Sequence, residues 1–386
     1  MEILQSRFNQ KYIFFVTAGF LTTFLISLAL LQLFAALLFF GWLFEKNKSK
    51  GIDLLIFIVL AFGIIRIISI IFSEYFDSSI IAVQKELLFY TTLVALSFYV
   101  KTFSRKDIIR LIEIFIHSGA LVALIGIILF SMGKVHRAQS FGSGYATFST
   151  YLVVVLMFIL TFHSYFTSRK KLILWIAETS LIISGIILSM GRADIAIAIF
   201  LGLIIIFFRK VTIVKLSITF FAAFVITFAA LQLNNEESQK RVADPTTLSD
   251  RDILYEGFFD LAFEHPLFGF GPRTFHDIFP HKDKLADKKV GSWHNDFVQT
   301  YLESGIFALI LLLFLIYTVF AKANWVIFKP KRMITIEPEK FAVIFGFIAV
   351  LLSGLTGVFL YSPIISLLFA FLISLFSYFF YLKEAF

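Results

Sequence analysis

Long apolar runs with few or no charges recur along the whole chain and constrain its fold more than any other feature. The first extends without charge from Tyr12 to Phe44. A helix needs about 20 apolar residues to cross a hydrocarbon core, because its backbone amides must be satisfied within the segment. Further runs of this kind lie at 52–72, 79–100, 108–131, 145–165, 172–189, 193–208, 211–233, 297–320, 341–360 and 363–382. The sequence therefore predicts an all-α, polytopic membrane protein.

The composition excludes most other classes of protein. Only 16% of the 386 residues are charged and 59% are apolar, whereas an ordinary soluble chain has roughly 25% charged residues. A soluble enzyme, a disordered tail and a coiled coil are therefore poor interpretations. The chain has no Cys, which rules out thiol chemistry, disulfides and iron–sulfur ligation.

Lysine and arginine concentrate in alternate connections between the apolar runs, which predicts the orientation. The basic connections contain Lys46, Lys48 and Lys50; Lys101, Arg105 and Lys106; Arg169, Lys170 and Lys171; Arg209, Lys210 and Lys215; and Lys322, Lys329, Lys331 and Arg332. We expect these connections in the cytoplasm. Placing Arg7 and Lys11 there as well divides the opening stretch into two helices and gives about twelve spans. The net charge of +8 then indicates orientation and contact with anionic lipids, and no nucleic-acid partner.

The same topology predicts one integral membrane domain in three parts. Residues 1–233 form an N-terminal bundle of about nine helices, 234–292 one large periplasmic loop, and 293–386 about three C-terminal helices. The N-terminal run is too long for a cleaved signal peptide and is expected to be an anchor. Within the loop, Ser249 and Asp252 form a capping box before an apolar stripe, and Pro266 with the turn at 269–272 ends the helix. That stripe comprises Ile253, Leu254, Phe258, Leu261 and Ala262.

Three arginines fall at the outer ends of spans or in this loop: Arg137, Arg192 and Arg251. The planar guanidinium suits bidentate phosphate binding. Arg251 lies in a first helical turn, where free N–H groups also favour an anion; the alternative is an ion pair with a neighbouring acid. Arg192 lies in a very short turn at the membrane boundary, where the alternative is a snorkelling side chain.

His294 precedes the run at 297–320, the tenth of the expected spans, with Ser292 as the expected N-cap. A histidine there titrates near neutral pH and can accept a proton from a hydroxyl, although a structural role beside Trp293 is the simpler alternative. A metal site built from His265, His276, His281 and His294 lacks a compact ligand spacing, so no metal is predicted.

Five polar residues lie within predicted spans and need partners: Arg66, Lys85, Glu86, Glu113 and His117. Lys85 and Glu86 are adjacent and cannot share a helix face. The five residues form either a transport pathway or an interhelical polar cluster.

The order of local motifs resembles the bacterial O-antigen ligase and O-antigen polymerase superfamily. The motifs are Ser-Met-Gly-Arg at 189–192, Arg251 opening a helix, Glu-His-Pro-Leu-Phe-Gly-Phe-Gly at 264–271, Trp-His-Asn-Asp-Phe at 293–297 and Leu-Glu-Ser-Gly-Ile at 302–306. The resemblance covers hydropathy over the whole chain and local motifs mainly from about 185 to 310.

This resemblance implies a glycosyltransferase of the bacterial inner membrane whose active site faces the periplasm. It uses no cofactor, metal or nucleotide sugar, and its donor is a glycan on undecaprenyl diphosphate. The acceptor is a lipid A-core sugar for a ligase, a second lipid-linked repeat for a polymerase, or a protein hydroxyl for a third group. Carried over to this chain, Arg192 and Arg251 hold the diphosphate and His294 activates the acceptor. Arg137, Arg273 and Asn295 are expected to bind diphosphate or glycan. A transporter of lipid-linked sugars is the competing interpretation.

Overall fold

The structure is a computed structural model that describes residues 2–46, 48–233, 251–285, 290–357 and 361–381. These residues are predominantly helical, and no strand occurs among them. The helices, numbered in chain order, are α1 Glu2–Thr22, α2 Leu28–Leu43, α3 Leu54–Ile71, α4 Phe76–Thr102, α5 Arg105–Ser131, α6 Tyr145–Thr161, α7 Arg169–Leu188, α8 Arg192–Arg209, α9 Ile213–Leu233, α10 Arg251–Leu261, α11 Phe275–Ile278, α12 Lys282–Leu285, α13 Asp296–Lys322, α14 Pro330–Thr335, α15 Pro338–Gly354 and α16 Pro363–Tyr381; 3-10 turns lie at Lys48–Gly51, Phe162–Tyr165 and Val326–Phe328.

Eight helices of the described part are long and apolar enough to cross a membrane: α3, α4, α5, α6 with its 3-10 extension, α7, α9, α13 and α16. The chain is therefore a multi-pass membrane protein. The opening apolar stretch forms two helices, α1 and α2, as its expected division requires. The count of twelve spans stays a prediction, because α2 and α15 have only 16 and 17 residues.

Capping side chains fix where several spans begin. Asp53 accepts hydrogen bonds from the amides of Leu55 and Ile56 at 3.0 and 3.2 Å, and Ser104 and Ser168 cap α5 and α7 in the same way. These caps satisfy amides that have no partner within the helix. The helix bounds consequently agree with the predicted spans to within a few residues, except at the end of α15.

Helices α6 and α16 form the centre of the bundle. Both are apolar around their whole circumference, and nearly all of their side chains are buried, as expected for a helix surrounded by others. Helix α15 packs on α6, α16 packs on α4, and α13 packs on α3. The central position of α6 and α16 brings the start of α6, the end of α15 and the start of α16 together at one end of the bundle.

A second, smaller core lies at that end, formed by residues 251–285 and the start of α13. It contains Leu254, Leu261, Phe275, Phe279 and Trp293, so the apolar stripe predicted for α10 is buried as expected. Ser249, the predicted capping residue, lies outside the described residues. We call this end of the bundle, where residues 251–285 lie, the loop end.

Candidate active site

Two segments that are separate motifs in the sequence hydrogen-bond to each other at the loop end. The N–H groups of Phe270 and Gly271 donate to the carbonyls of Leu302 and Glu303, at 2.8 and 3.0 Å. The segment around 266–271 is therefore held against the first part of α13, before Gly305. We call this pair of hydrogen bonds the clasp. This pairing gives a physical reason for the two motifs to occur together in one chain.

The clasp surrounds a sharp kink in α13 at Gly305, whose φ of 72° and ψ of −172° are not helical. The kink frees an amide of the helix, and the N–H of Ile306 donates instead to the Pro266 carbonyl at 2.9 Å. A Cβ at Gly305 would fall on the Leu267 carbonyl. Glycine is therefore required both by the backbone conformation and by the close approach of the loop.

Arg192 is the first residue of α8 and is exposed at the loop end. Two residues later, Asp194 is buried and accepts hydrogen bonds from three hydroxyls: Ser149, Thr150 at 3.3 Å and Ser353 at 2.8 Å. These hydroxyls belong to α6 and α15. Asp194 thus joins the first turn of α8 to two neighbouring helices and fixes the position from which Arg192 extends.

Arg251 and His294 lie close to each other. The Arg251 guanidinium donates to the Thr356 carbonyl at 3.2 Å. His294 is exposed but lies against enough protein that desolvation, and then the positive charge of Arg251, lower its pKa below the ordinary value. The imidazole is therefore neutral at pH 7, which is the form that can accept a proton.

The last turn of α15 and the residues after it support all three predicted site residues. Ser353 donates to Asp194 beside Arg192, Gly354 packs directly against the Asp296 carboxylate two residues from His294, and the Thr356 carbonyl accepts from Arg251. These contacts come from three residues within four consecutive positions of the chain. The structure therefore brings Arg192, Arg251 and His294 to the same helix end, although they are 59 and 43 positions apart in sequence.

Arg273 also points to this region. Its guanidinium lies over the ring of Tyr361, with Cζ 4.3 Å from the ring centroid. The backbone N–H of Arg273 donates to a Glu303 carboxylate oxygen at 2.7 Å. The same oxygen accepts from the Tyr361 hydroxyl and from the Gln299 amide. Burial, and then the negative charge of Glu303, raise the pKa of Tyr361 well above its ordinary value, so the phenol stays protonated and donates.

Arg137 lies beside the turn that carries Arg192. The N–H of the next residue, Ala138, donates to the carbonyl of Leu188 at 2.9 Å, at the end of α7. The Arg137 guanidinium lies over the Tyr145 ring, 4.1 Å from its centroid. Arg137 and Arg273 thus share one arrangement, a guanidinium stacked on a tyrosine, and each has a buried Nε that finds no hydrogen-bond partner among the described residues.

The expected N-cap of α13 is wrong. The helix begins at Asp296, and Asn295 rather than Ser292 caps it, accepting from the amides of Phe297 and Val298 at 2.9 and 3.2 Å. The Asn295 amide donates to the Tyr255 hydroxyl at 3.4 Å. Asn295 therefore has a structural role that fixes His294, the residue immediately before it, while substrate binding by Asn295 stays a prediction.

Two of the polar residues within the spans belong to a buried interhelical cluster. Arg66 makes a bidentate pair with Glu86 at 2.7 and 2.9 Å, and it also donates to Glu303 at 3.2 Å and to Ser304 at 3.3 Å. Lys85, by contrast, is exposed. The Arg66 cluster connects α3, α4 and α13 and lies directly beneath the clasp.

His117 pairs with a residue that the sequence analysis did not single out. Its Nδ1 lies 2.5 Å from a carboxylate oxygen of Glu178 on α7. Glu113 lies one turn earlier on the same helix as His117. In the described part of the chain, no group of three His, Asp or Glu side chains could hold a metal ion.

Sequence reasoning missed Ser353, Thr356 and Tyr361. The predicted span 341–360 extends six residues beyond the end of α15 at Gly354, because residues 355–360 are mostly apolar and contain no charge or proline. The available signals were Gly354 and Gly357 together with Pro363, which favour a helix end and a new helix start.

Comparison with known proteins gives a family match across the middle of the chain. Residues 146–313 match the O-antigen ligase family, a segment that runs from the start of α6 into α13 and contains Arg192, Arg251, Arg273 and His294. This match supports the O-antigen ligase and polymerase superfamily and confirms the resemblance drawn from the motifs. Members of this family are membrane glycosyltransferase-like enzymes that act on lipid-linked glycans. No curated protein matches the chain.

Proposed function

We propose that the protein is an O-antigen ligase-type glycosyltransferase of the bacterial inner membrane. It transfers a glycan from undecaprenyl diphosphate to a hydroxyl of a lipid A-core sugar. The loop end of the bundle faces the periplasm, and residues 234–292 form the loop that completes the active site.

In this proposal Arg192 and Arg251 hold the diphosphate and His294 acts as the base. The acceptor oxygen forms a bond to the anomeric carbon while the bond from that carbon to the diphosphate oxygen breaks. The hydroxyl proton passes to His294, and the diphosphate leaves as an anion. Fixed guanidinium groups stabilise the charge that grows on the leaving group, so the step needs neither a general acid nor a metal ion. Direct attack by one hydroxyl inverts the anomeric centre.

The observation that carries this proposal is the meeting of a neutral histidine with arginines at one helix end. Arg251 both lowers the pKa of His294 and shares with Arg192 the support of residues 353–356. A base and an anion site are therefore adjacent, as displacement of a diphosphate by a hydroxyl requires. The buried, unpartnered Nε atoms of Arg137 and Arg273 support further anion contacts, because an unsatisfied buried donor costs roughly 1–3 kcal/mol.

The surface below Arg192 suits the prenyl tail of the donor. Helix α8 packs on α6 and α15, whereas the next helix, α9, packs on α7 and α5. Helices α8 and α9 therefore pack on different parts of the bundle. The outward faces of α8 and α9 expose large apolar side chains. Four of them are at least 60% exposed: Phe200, Phe207, Phe221 and Phe224. A donor whose phosphates lie at Arg192 has its hydrocarbon chain beside this surface.

The alternatives differ in acceptor or in class. A polymerase uses a second lipid-linked repeat as acceptor, and a protein O-oligosaccharyltransferase uses a protein hydroxyl; both would use the same donor site. A transporter of lipid-linked sugars is disfavoured because Arg66 forms ion pairs with both Glu86 and Glu303, which leaves Arg66 and Glu86 no evident role in a pathway.

The test is the banding pattern of lipopolysaccharide, with lipid-linked glycan measured in parallel, in a deletion strain complemented with wild type or His294→Ala. Loss of a general base is expected to lower transfer by about 10²–10⁴-fold at normal membrane levels of the protein. A ligase defect appears as bare core with accumulated long lipid-linked polymer. His276→Ala, an exposed histidine of the same loop, is the matched control and should restore the wild-type pattern.

Other outcomes separate the alternatives. Core capped by a single repeat indicates the polymerase. A normal pattern in the deletion strain itself points to a protein-glycosylating relative or a transporter. Full activity of His294→Ala, Arg192→Ala and Arg251→Ala would contradict the site assignment.

A further inference from the structure

Helix α10 has three distinct faces. Leu254 and Leu261 are buried in the small core of the loop end. Glu256 and Asp260 form an acidic face whose partners are Lys284, 2.9 Å from Glu256, and His281, 3.1 Å from Asp260. The third face is aromatic.

The aromatic face is a stripe of three residues at intervals of four: Tyr255, Phe259 and Phe263. Residues four apart lie one above the other on a helix, and Phe263 continues the line two residues past the end of α10. Their exposed fractions rise along the stripe, from 42% at Tyr255 to 69% at Phe259 and 88% at Phe263. Burying apolar area is worth about 25 cal/mol per Å², so rings this exposed indicate a surface that an apolar phase covers.

The far end of the stripe continues into the lipid-facing surface of the bundle. Leu267 is 54% exposed, and the next residue, Phe268, stacks on Phe72 with ring centroids 4.5 Å apart and contacts Phe307. Phe72 follows the last residue of α3 and Phe307 lies on α13. Both rings are exposed, at 58% and 43%, on two helices long and apolar enough to cross a membrane, so we expect this surface to face lipid.

The near end of the stripe lies at the candidate active site. The Tyr255 hydroxyl accepts from Asn295, the neighbour of His294, and Arg251 lies one turn before Tyr255. The stripe therefore runs from the candidate site to the lipid-facing surface at α3. Tyrosine at the polar end and phenylalanine towards the apolar end is the order expected at a membrane–water interface.

We propose that α10 is an interfacial helix whose aromatic stripe, Tyr255, Phe259 and Phe263, binds the acyl chains of phospholipids in the leaflet at the loop end. A helix of this type lies in the plane of the interface with its apolar face buried about 5–10 Å below the headgroups. The side chains of Phe259, Phe263 and Leu267 have no hydrogen-bonding group, which disfavours a glycan as the occupant. Insertion holds Arg251, the first residue of α10, at the level of lipid headgroups. The proposal does not depend on the proposed transferase activity.

The absence of cysteine from the chain allows a direct test of depth. Phe263→Cys is labelled with the fluorophore NBD in the full-length protein, which is reconstituted in nanodiscs of phosphatidylcholine and phosphatidylglycerol. Quenching is compared between lipids brominated on the acyl chains and iodide in the aqueous phase. Glu256→Cys, on the acidic face of the same helix and 54% exposed in its side chain, is the matched control.

We expect brominated lipid to remove most of the fluorescence at 263 and little at 256, with the reverse order for iodide. Iodide quenching at 263 equal to that at 256, without bromine quenching, would overturn the proposal and favour a glycan or aqueous partner. Protection of 263 from both quenchers would also overturn it, because a protein surface such as a second copy would then cover the stripe. Phe259→Cys gives an independent reading one turn closer to Tyr255, should Phe263→Cys fail to fold.

Discussion

Three turns at the candidate site contain a non-glycine residue with a left-handed backbone: Met190 with φ 54°, Arg273 with φ 63° and His294 with φ 49°. Such conformations cost about 1–3 kcal/mol each and persist only where the surroundings fix them. The Glu303 carboxylate fixes Arg273 by accepting a hydrogen bond from the backbone amide of Arg273. Asn295, which caps α13, follows His294 directly and fixes its position. Two of the three strained positions, Arg273 and His294, are therefore predicted site residues, and the third, Met190, lies two residues before Arg192.

The pH dependence of transfer should report the contact between Arg251 and His294. In the proposed mechanism His294 is a neutral base, so we expect activity to fall as the pH drops through its pKa, which lies below the ordinary value of 6.5. Arg251→Gln removes a positive charge that opposes protonation, so the pKa of His294 rises and the acid limb of kcat/KM moves to higher pH. The measurement is the pH profile of kcat/KM of the purified protein, normalised for each variant.

Lys282→Gln is the matched control, because Lys282 is a cation of the same loop whose side chain donates to the Asp277 carbonyl. Its profile should coincide with that of the wild type. An acid limb at the same pH in wild type and Arg251→Gln would show that the charge of Arg251 does not act on His294.

Residue types and motif order were enough to select Arg192, Arg251 and His294 as candidates, because phosphate binding and base catalysis each need a particular side chain; their roles stay predictions. The same approach could not pair Arg66 with Glu303, which are 237 positions apart. Periodicity describes one helix at a time and carries no information on which distant helix lies against it. Arg66 could therefore be predicted only to need a partner.

At the scale of elements, α13 is two helical segments joined at Gly305. The outer segment supplies Glu303 to the Arg66 cluster and carbonyls to the clasp, and the inner segment crosses the bundle against α3. A continuous straight helix could not do both. The kink therefore determines how the loop is attached to the bundle.

Gly305→Ala is expected to destabilise the protein. The φ and ψ at Gly305 belong to a region that is essentially restricted to glycine, and the methyl group would also meet the Leu267 carbonyl. The loss is about 1–3 kcal/mol from backbone strain alone, and the measurement is the thermal unfolding midpoint in detergent.

Gly144→Ala is the control for the loss of a glycine. Gly144 has an ordinary φ of −72° at the start of α6, and nothing lies within 4 Å of a Cβ placed there. Its midpoint should stay close to that of the wild type. Equal midpoints for Gly305→Ala and wild type would contradict the strained kink.

Helix ends were predicted well where a cap, a charge or a proline marks them and poorly elsewhere. Asp53, Ser104 and Ser168 mark three starts. The end of α15 is marked only by glycines within an apolar sequence, so the predicted span ran on to residue 360. Because that one boundary was misplaced, sequence reasoning did not identify the residues that support the candidate site, Ser353, Thr356 and Tyr361.

At the scale of the whole molecule, the charge distribution predicts that the loop end and the basic connections lie on opposite sides of the membrane. Single cysteines at Lys282, in the loop, and at Lys329, in a basic connection, test this arrangement in the otherwise cysteine-free chain. In spheroplasts, a membrane-impermeant maleimide should label Lys282→Cys at once. Lys329→Cys should react only after permeabilisation.

Each variant serves as the control for the other, since both positions are lysines outside the spans and differ only in the expected side. Labelling of Lys329→Cys in intact spheroplasts, with protection of Lys282→Cys, would invert the orientation. The candidate site would then face the cytoplasm, and the proposed periplasmic transfer would fail with it.

The dependence of the site on Ser353, Thr356 and Tyr361 has a consequence for how the protein is made. A ribosome completes Arg192, Arg251 and His294 before it reaches Ser353, Thr356 and Tyr361, so a nascent chain has its reactive groups before it has their supports. Those supports belong to α15 and to the connection between α15 and α16, which pack on α6 and α4. A chain that stops before Ser353 therefore lacks the contacts that support these three residues, and we expect it to show no transfer.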